Sequence, residues 1–278
     1  MTKKKNKSMI QRRLIPTYIF LAIVSLVSVF PFYWMIMAAT NDYVDISRGK
    51  LTFGTAALEN FRNLIDQQPL ALAMKNSFVY AISVTIICLL ICSLAGYGYE
   101  IYHDKWKDKL FSVILLGMMI PQVATIVPLY RMFTKAHLIN TAVGFFLPMI
   151  STPFMIMMFR QNARAFPIDI IEAARIDGAT DYQIIRKVVF PLVKPALATV
   201  MLLAFQGAWL DANASTMYLD SETLKTFAYY IGTLTAGGSV ITQGIAAAGA
   251  LIMLVPNIVL FIILQSRVMN TMANSGIK

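Results

Sequence analysis

Four stretches of this chain run for about the length of a bilayer crossing without a single Asp, Glu, Lys or Arg: Leu14 to Asn41, Asn76 to Tyr99, Leu110 to Tyr130 and Ala136 to Phe159. A helix of ~20 apolar residues spans the hydrocarbon layer, and in lipid it alone satisfies its own backbone polar groups without a partner strand. The spacing therefore predicts four membrane helices. Bulk composition agrees, because 58% hydrophobic against 14% charged residues leaves too little polar material to cover a soluble globule of this size.

Two further helices need argument. The charge-free window Pro195 to Leu210 is short, so a fifth helix is expected to begin near Leu192, with Lys194 reaching toward the polar surface and Asp211 at the far end. The window between Lys225 and Arg267 is too long for one helix. Its Thr-rich first half is interrupted by Gly232, Gly237 and Gly238, and reads as an outer loop or a partly inserted segment. The sixth helix is then expected over about Ile245 to Gln265; a seventh helix in the first half is the alternative and would put the tail outside.

Charge orients this scheme. With six helices and the N-terminus inside, the outer segments keep only Arg48, Lys50, Arg62, Lys75, Arg131, Lys135 and Lys225 of the 24 basic residues. The rest are cytoplasmic, as the excess of Lys and Arg on inner loops requires. The net charge of +10 is thus topology, and no basic soluble face for nucleic acid is indicated. The apolar run after the Lys3–Lys7 cluster is too long for a cleaved signal, whose core has ~7 to 15 residues, and is expected to remain as the first helix. The chain divides into a cytoplasmic segment 1–13, a transmembrane region 14–270 and a cytoplasmic tail 271–278.

Between the fourth and fifth spans lies a charged island, Glu172 to Pro191, EAARIDGATDYQIIRKVVFP. Glu172, Ala173, Ala174 and Arg175 favour a helix, Gly178 can end it in a left-handed conformation, and Thr180 with Gln183 has the spacing of a capping box that starts another. Two short helices around a glycine elbow are expected, with Tyr182, Ile185, Val188 and Val189 on the apolar face and Asp181, Arg186 and Lys187 wet.

The island closely resembles the EAA loop of the membrane subunits of binding-protein-dependent ATP-binding-cassette importers. Glu172, Ala173, Ala174, Asp177, Gly178, Ala179, Pro191 and Pro195 stand where that pattern wants them. The likeness covers most of the chain and is nearest to sugar-importer permeases of the maltose-subunit type. It implies an all-α membrane protein with six transmembrane helices and a cytoplasmic two-helix coupling loop at about 166–191, the type I importer permease fold. It also implies a bacterial inner-membrane location and partners in a second homologous permease, two ATPase subunits and an extracytoplasmic solute-binding protein. Glu172, Ala173, Ala174, Asp177, Gly178, Ala179 and Pro191 would then couple the chain to the ATPase, which would hold the ATP and Mg. The outer loop from Asn41 to Lys75 is polar enough to touch the binding protein.

Nothing in the chain argues for catalysis. There is no G-x-x-x-x-G-K-[ST] phosphate loop, so any ATP must bind another chain. His103 and His137 fall on opposite sides of the membrane in this scheme and cannot share a metal, and no cofactor is expected on this chain. Cys88 and Cys92 lie one helical turn apart and read as buried apolar residues, not a redox pair. Gly96-Tyr97-Gly98 is too short for a dinucleotide fingerprint and fits small-residue packing.

The spans lack the buried charges by which proton- or sodium-coupled carriers work. They offer uncharged polarity instead, at Gln122, Thr125, Ser151, Thr152, Gln206, Asn213 and Asn257, with Trp209 and Tyr218 as flat faces. Such groups suit a neutral, hydrogen-bonding solute such as a sugar, and they also serve simply to bond helices together. Gln122, Gln206, Trp209, Asn213 and Asn257 are the candidate pathway residues. An importer of a different solute, and a self-sufficient carrier or channel, are the competing readings. Prolines at 121, 128, 148, 153 and 256 mark candidate kinks. The small-residue run Gly244 to Ala250 is a packing face, for the chain's own bundle or for the partner subunit. Two stretches depart from the family pattern: Trp209-Leu210-Asp211-Ala212-Asn213 where WND is common, and the tail from Met272 to Lys278.

Overall fold

The computed structural model describes residues 2–102, 104–164, 168–236 and 243–275. Among them every regular element is helical. In chain order the helices are α1 (Thr2–Thr40), α2 (Tyr43–Ser47), α3 (Ala57–Gln67), α4 (Leu70–Ile101), α5 (Lys105–Leu116), α6 (Gln122–Lys135) and α7 (Ala142–Phe146). They continue with α8 (Pro153–Ala163), α9 (Ile168–Ile176), α10 (Asp181–Ile184), α11 (Phe190–Trp209), α12 (Ala212–Tyr218), α13 (Phe227–Ala236) and α14 (Gln243–Ser275).

Three helices are long and apolar enough to cross a membrane alone: Ile15–Thr40, Leu70–Ile101 and Gln243–Val268. They occupy the places expected for the first, second and sixth spans. The third and fourth spans are broken, and the breaks fall at two of the candidate kinks, Pro121 and Pro153. Lys105–Met119 and Gln122–Lys135 meet at 105°, and Ala142–Met149 and Pro153–Ala163 at 44°. The cause is steric, since a proline ring drives the preceding residue out of the helical region. Ile120, before Pro121, has ψ 119°, and Thr152, before Pro153, has ψ 144°.

The fifth helix is corrected. It starts at Phe190 rather than near Leu192, and it is continuous with α10 through a wide π turn over Ile185–Val189. Pro191 therefore lies inside a helical run and does not open a new segment. A proline removes one backbone donor and crowds the preceding turn, and a wide turn accommodates both. The Thr-rich segment after Lys225 is a helix, α13, whose Phe227, Ala228, Tyr230 and Ile231 are buried. Of the glycines expected to interrupt it, Gly237 and Gly238 lie outside the described residues.

The helices group into two compact units. Residues 1–68 and 234–252 form the first. Its organising residue is Asn41, buried at the end of α1, which donates to the carbonyls of Met37 and Thr52, each at 2.8 Å. The amide of Asn60 donates to the carbonyls of Ala39 and Asn41 at 3.0 Å. A Cβ on Gly244 would stand 2.7 Å from that same amide nitrogen. The run Gly244 to Ala248 is thus packed within the chain, which decides between the two places open to it, and Ile245 to Ala248 are buried. The membrane-length part of α1 buries none of its apolar window.

Residues 69–233 and 253–278 form the second unit, with α4 at its centre. Cys88, Cys92, Phe111, Ile156, Phe159, Ala196, Val200 and Ala204 make one buried cluster between α4, α5, α8 and α11. The two thiols are free, with their sulfurs 3.7 Å apart. Gly96 lets α8 approach α4 closely, for a Cβ there would lie 2.5 Å from the Cβ of Phe159.

Candidate functional site: a helical elbow and an amide-lined hollow

The charged island folds as its local chemistry dictates. α9 ends in a Schellman motif: Gly178, at φ +78°, donates to the carbonyl of Arg175, and Ala179 donates to that of Ala174, both at 3.0 Å. Ala174 and Ala179 are therefore the paired positions whose side chains meet when such a turn closes, and both pack on one cluster with Tyr97, Ile171, Ile184 and Val189. The E-A-A-x-x-D-G-A spacing has this mechanical reason. α10 then begins with the expected capping box, the Thr180 N–H donating to Gln183 Oε1 at 2.9 Å and the Gln183 N–H to Thr180 Oγ1 at 3.4 Å.

Two contacts fix the elbow to the end of α4. One is the apolar cluster just named. The other is a polar clasp, in which Arg175 donates to the Tyr102 hydroxyl at 3.0 Å and that hydroxyl donates to Asp181 at 2.9 Å. The face turned away from the bundle carries Glu172, Ala173, Ile176, Asp177 and Gly178, all exposed. Tyr182 joins it. That residue was expected on the apolar inner face, but it is 68% exposed, and Ile184 fills the inner position instead at 1%. The apolar phase here is set by Ile184, just before the π turn, and Val189, its last residue, so counting in steps of 3.6 residues picks the wrong member.

Beside the elbow, Arg160 is buried at the end of α8 and holds three helices together. It donates to Glu100 of α4 at 3.0 Å and to Asp108 of α5 at 2.7 Å, with the Phe111 ring 4.3 Å from its guanidinium carbon. Glu100 also pairs with Arg164 at 3.4 Å and Asp108 is half exposed, so the set is a shared network at the edge of the bundle in which each charge keeps a partner or water. Sequence reading assigned Arg160 only to a side of the membrane and did not reach Glu100 or Asp108, because residues 60 and 52 positions apart give no local signal of pairing.

Three of the five candidate pathway residues converge. Gln122 at the start of α6, Gln206 on α11 and Asn213 on α12 line one open hollow of ≈ 490 Å³ together with Leu203, Gly207, Leu210, Asp211 and Ala212. Leu203, Gln206, Gly207 and Leu210 recur at helical spacing, so one face of α11 forms the wall. Asp211 caps α12, accepting from the Ala214 N–H at 2.8 Å.

The other two do not join them. Trp209 is 1% exposed, donates through Nε1 to the Met253 carbonyl at 3.0 Å, and packs its ring against Phe78 and Phe205 at centroid distances of 4.7 and 5.7 Å. It is a core residue packed with Phe205 and Ala208 on the side of α11 that meets α4, and it does not line the hollow, which corrects its assignment to the pathway. Asn257 is also buried, donating to the Met253 carbonyl at 3.2 Å, and does not line the hollow.

Residues 89–266 match the family described as the binding-protein-dependent transport system inner membrane component. The chain belongs to that family. This inner membrane component is 33% identical to the lactose transport system permease protein LacG of Rhizobium radiobacter, over 96% of the present chain and 98% of the relative. It is 30% identical to the arabinooligosaccharides transport system permease protein AraQ of Halalkalibacterium halodurans, over 92% and 94%. Among solved structures it is similar to a chain of a bacterial ABC transporter involved in the import of the acidic polysaccharide alginate, with a TM-score of 0.76 over 91% of this chain and 95% of that one at 19% identity. The matched span begins in α4 and ends in α14, so it contains the elbow, the Arg160 set and the hollow.

Proposed function

We propose that this permease forms half of the membrane pathway for an oligosaccharide or related neutral sugar in an ATP-driven, binding-protein-dependent importer. The observation that carries the solute class is the hollow, where three amide side chains from three helices converge on an open space. Each amide both donates and accepts, which suits a solute that presents hydroxyl groups in several directions. The names of the lactose and arabinooligosaccharide relatives point the same way.

In this reading the elbow, with Glu172, Ala173, Ala174, Asp177, Gly178, Ala179 and Pro191, docks on a separate ATPase subunit that holds ATP and Mg. A second homologous permease completes the pathway, two ATPase subunits drive it, and an extracytoplasmic solute-binding protein delivers the solute. Both termini and the elbow are cytoplasmic, in keeping with the bias of Lys and Arg. The test is the complete complex in lipid vesicles, presented with a panel of saccharides, amino acids and peptides. ATP hydrolysis should rise with one or more neutral saccharides. A response confined to amino acids or peptides, or solute uptake without ATP, would overturn the proposal.

A further inference from the structure

The hollow has one ionisable side chain among the residues that line it, and that residue is Asp211. Its carboxyl is half-buried, and no ion pair is formed by it among the described residues. Burial pushes its titration upward, and the opposing pull comes from the backbone N–H groups of Ala214 and Asn213 rather than from a cation. A helix cap needs only an oxygen acceptor, which Asn supplies as well as Asp. The negative charge is therefore surplus to the structural role.

We propose that Asp211 is a charge filter at the wall of the hollow, favouring neutral and amine-bearing solutes and excluding those that carry a carboxylate or phosphate. This rests on the reading of the hollow as part of the solute pathway. Coulomb repulsion across a few ångströms weakens binding of an anion by several-fold even at the dielectric of water, and by more where water is displaced. For a hydroxylated neutral solute the same oxygens are acceptors.

The test uses the complete importer complex with Cys88 and Cys92 replaced and Leu210→Cys as a reporter in the wall. Labelling rates with a cationic and an anionic thiol reagent of equal size give the local potential. The cation-to-anion ratio should fall about tenfold when Asp211→Asn is added, the change expected for two opposite unit charges each at about 6 Å in water. An unchanged ratio would overturn the filter. Protection of the same cysteine from an uncharged reagent then reads the solute class. A neutral oligosaccharide should protect whether or not Asp211→Asn is present, and its uronate counterpart only in the Asp211→Asn protein. Equal protection by the uronate in both proteins would also overturn the filter. If the ratio shifts but neither saccharide protects, the saccharide reading fails and the charge filter stands.

Discussion

Gly178 holds φ +78°, and nothing lies within 4 Å of the place a Cβ would take. Any effect of substitution within this chain therefore comes from backbone strain, about 1–2 kcal/mol for an ordinary residue and less for Asn, which visits this region more readily. A β-branched residue fares worst. Uptake and solute-stimulated ATP hydrolysis should fall in the order Gly178, Gly178→Asn, Gly178→Ala, Gly178→Val, with the protein still inserted in the membrane. Asn as damaging as Val would show instead that the docked partner tolerates no side chain there. The same residue illustrates what is readable from local sequence: the Gly elbow and the capping box depend on near neighbours and each formed where the spacing put it, whereas the pairing of Ala174 with Ala179 emerges only in the structure.

At the scale of elements, α11 presents two faces with different duties. Phe205, Ala208 and Trp209 are buried together with Ala81 and Val84 of α4, while Leu203, Gln206, Gly207 and Leu210 face the hollow. Trp209→Ala removes a fully buried ring, a change that costs on the order of 3–5 kcal/mol in protein cores. It should lower the yield and thermal stability of the purified complex. Gln206→Ala should leave both near normal and lower transport per assembled complex. The reverse pattern would restore Trp209 to the pathway. Sequence could not separate these faces, because a tryptophan near a span end has the same composition whether it faces solute or core. Proline shows the same limit. Ile120 and Thr152 are driven extended before Pro121 and Pro153 and break their spans, yet Pro16, Pro31, Pro128 and Pro256 sit within helices. A run of apolar residues reports length, and not whether the helix bends at its proline.

For the whole molecule, the number of crossings turns on the 105° bend between Lys105–Met119 and Gln122–Lys135. So sharp a bend is compatible with a single broken span or with a segment that enters and leaves on one side. Each choice places the following loop, the orientation of every later span and the tail. The basic residues favour the crossing: with six spans, Arg160, Arg164, Arg175, Arg186, Lys187 and Lys194 all fall inside, whereas a returning segment would put them outside. Single cysteines decide it, in a background with Cys88 and Cys92 replaced and a membrane-impermeant thiol reagent. Ser47→Cys, in α2, and Ala136→Cys, exposed just after α6, should react in intact cells. Asn6→Cys and Ser275→Cys should react only after the cells are opened. If Ala136→Cys is reached only in opened cells while Ser275→Cys is reached in intact ones, the α5–α6 pair is re-entrant, the elbow faces outward, and the chain cannot meet an ATPase in the proposed way. That single pair of labels therefore tests the fold's path through the membrane and the coupling reading together.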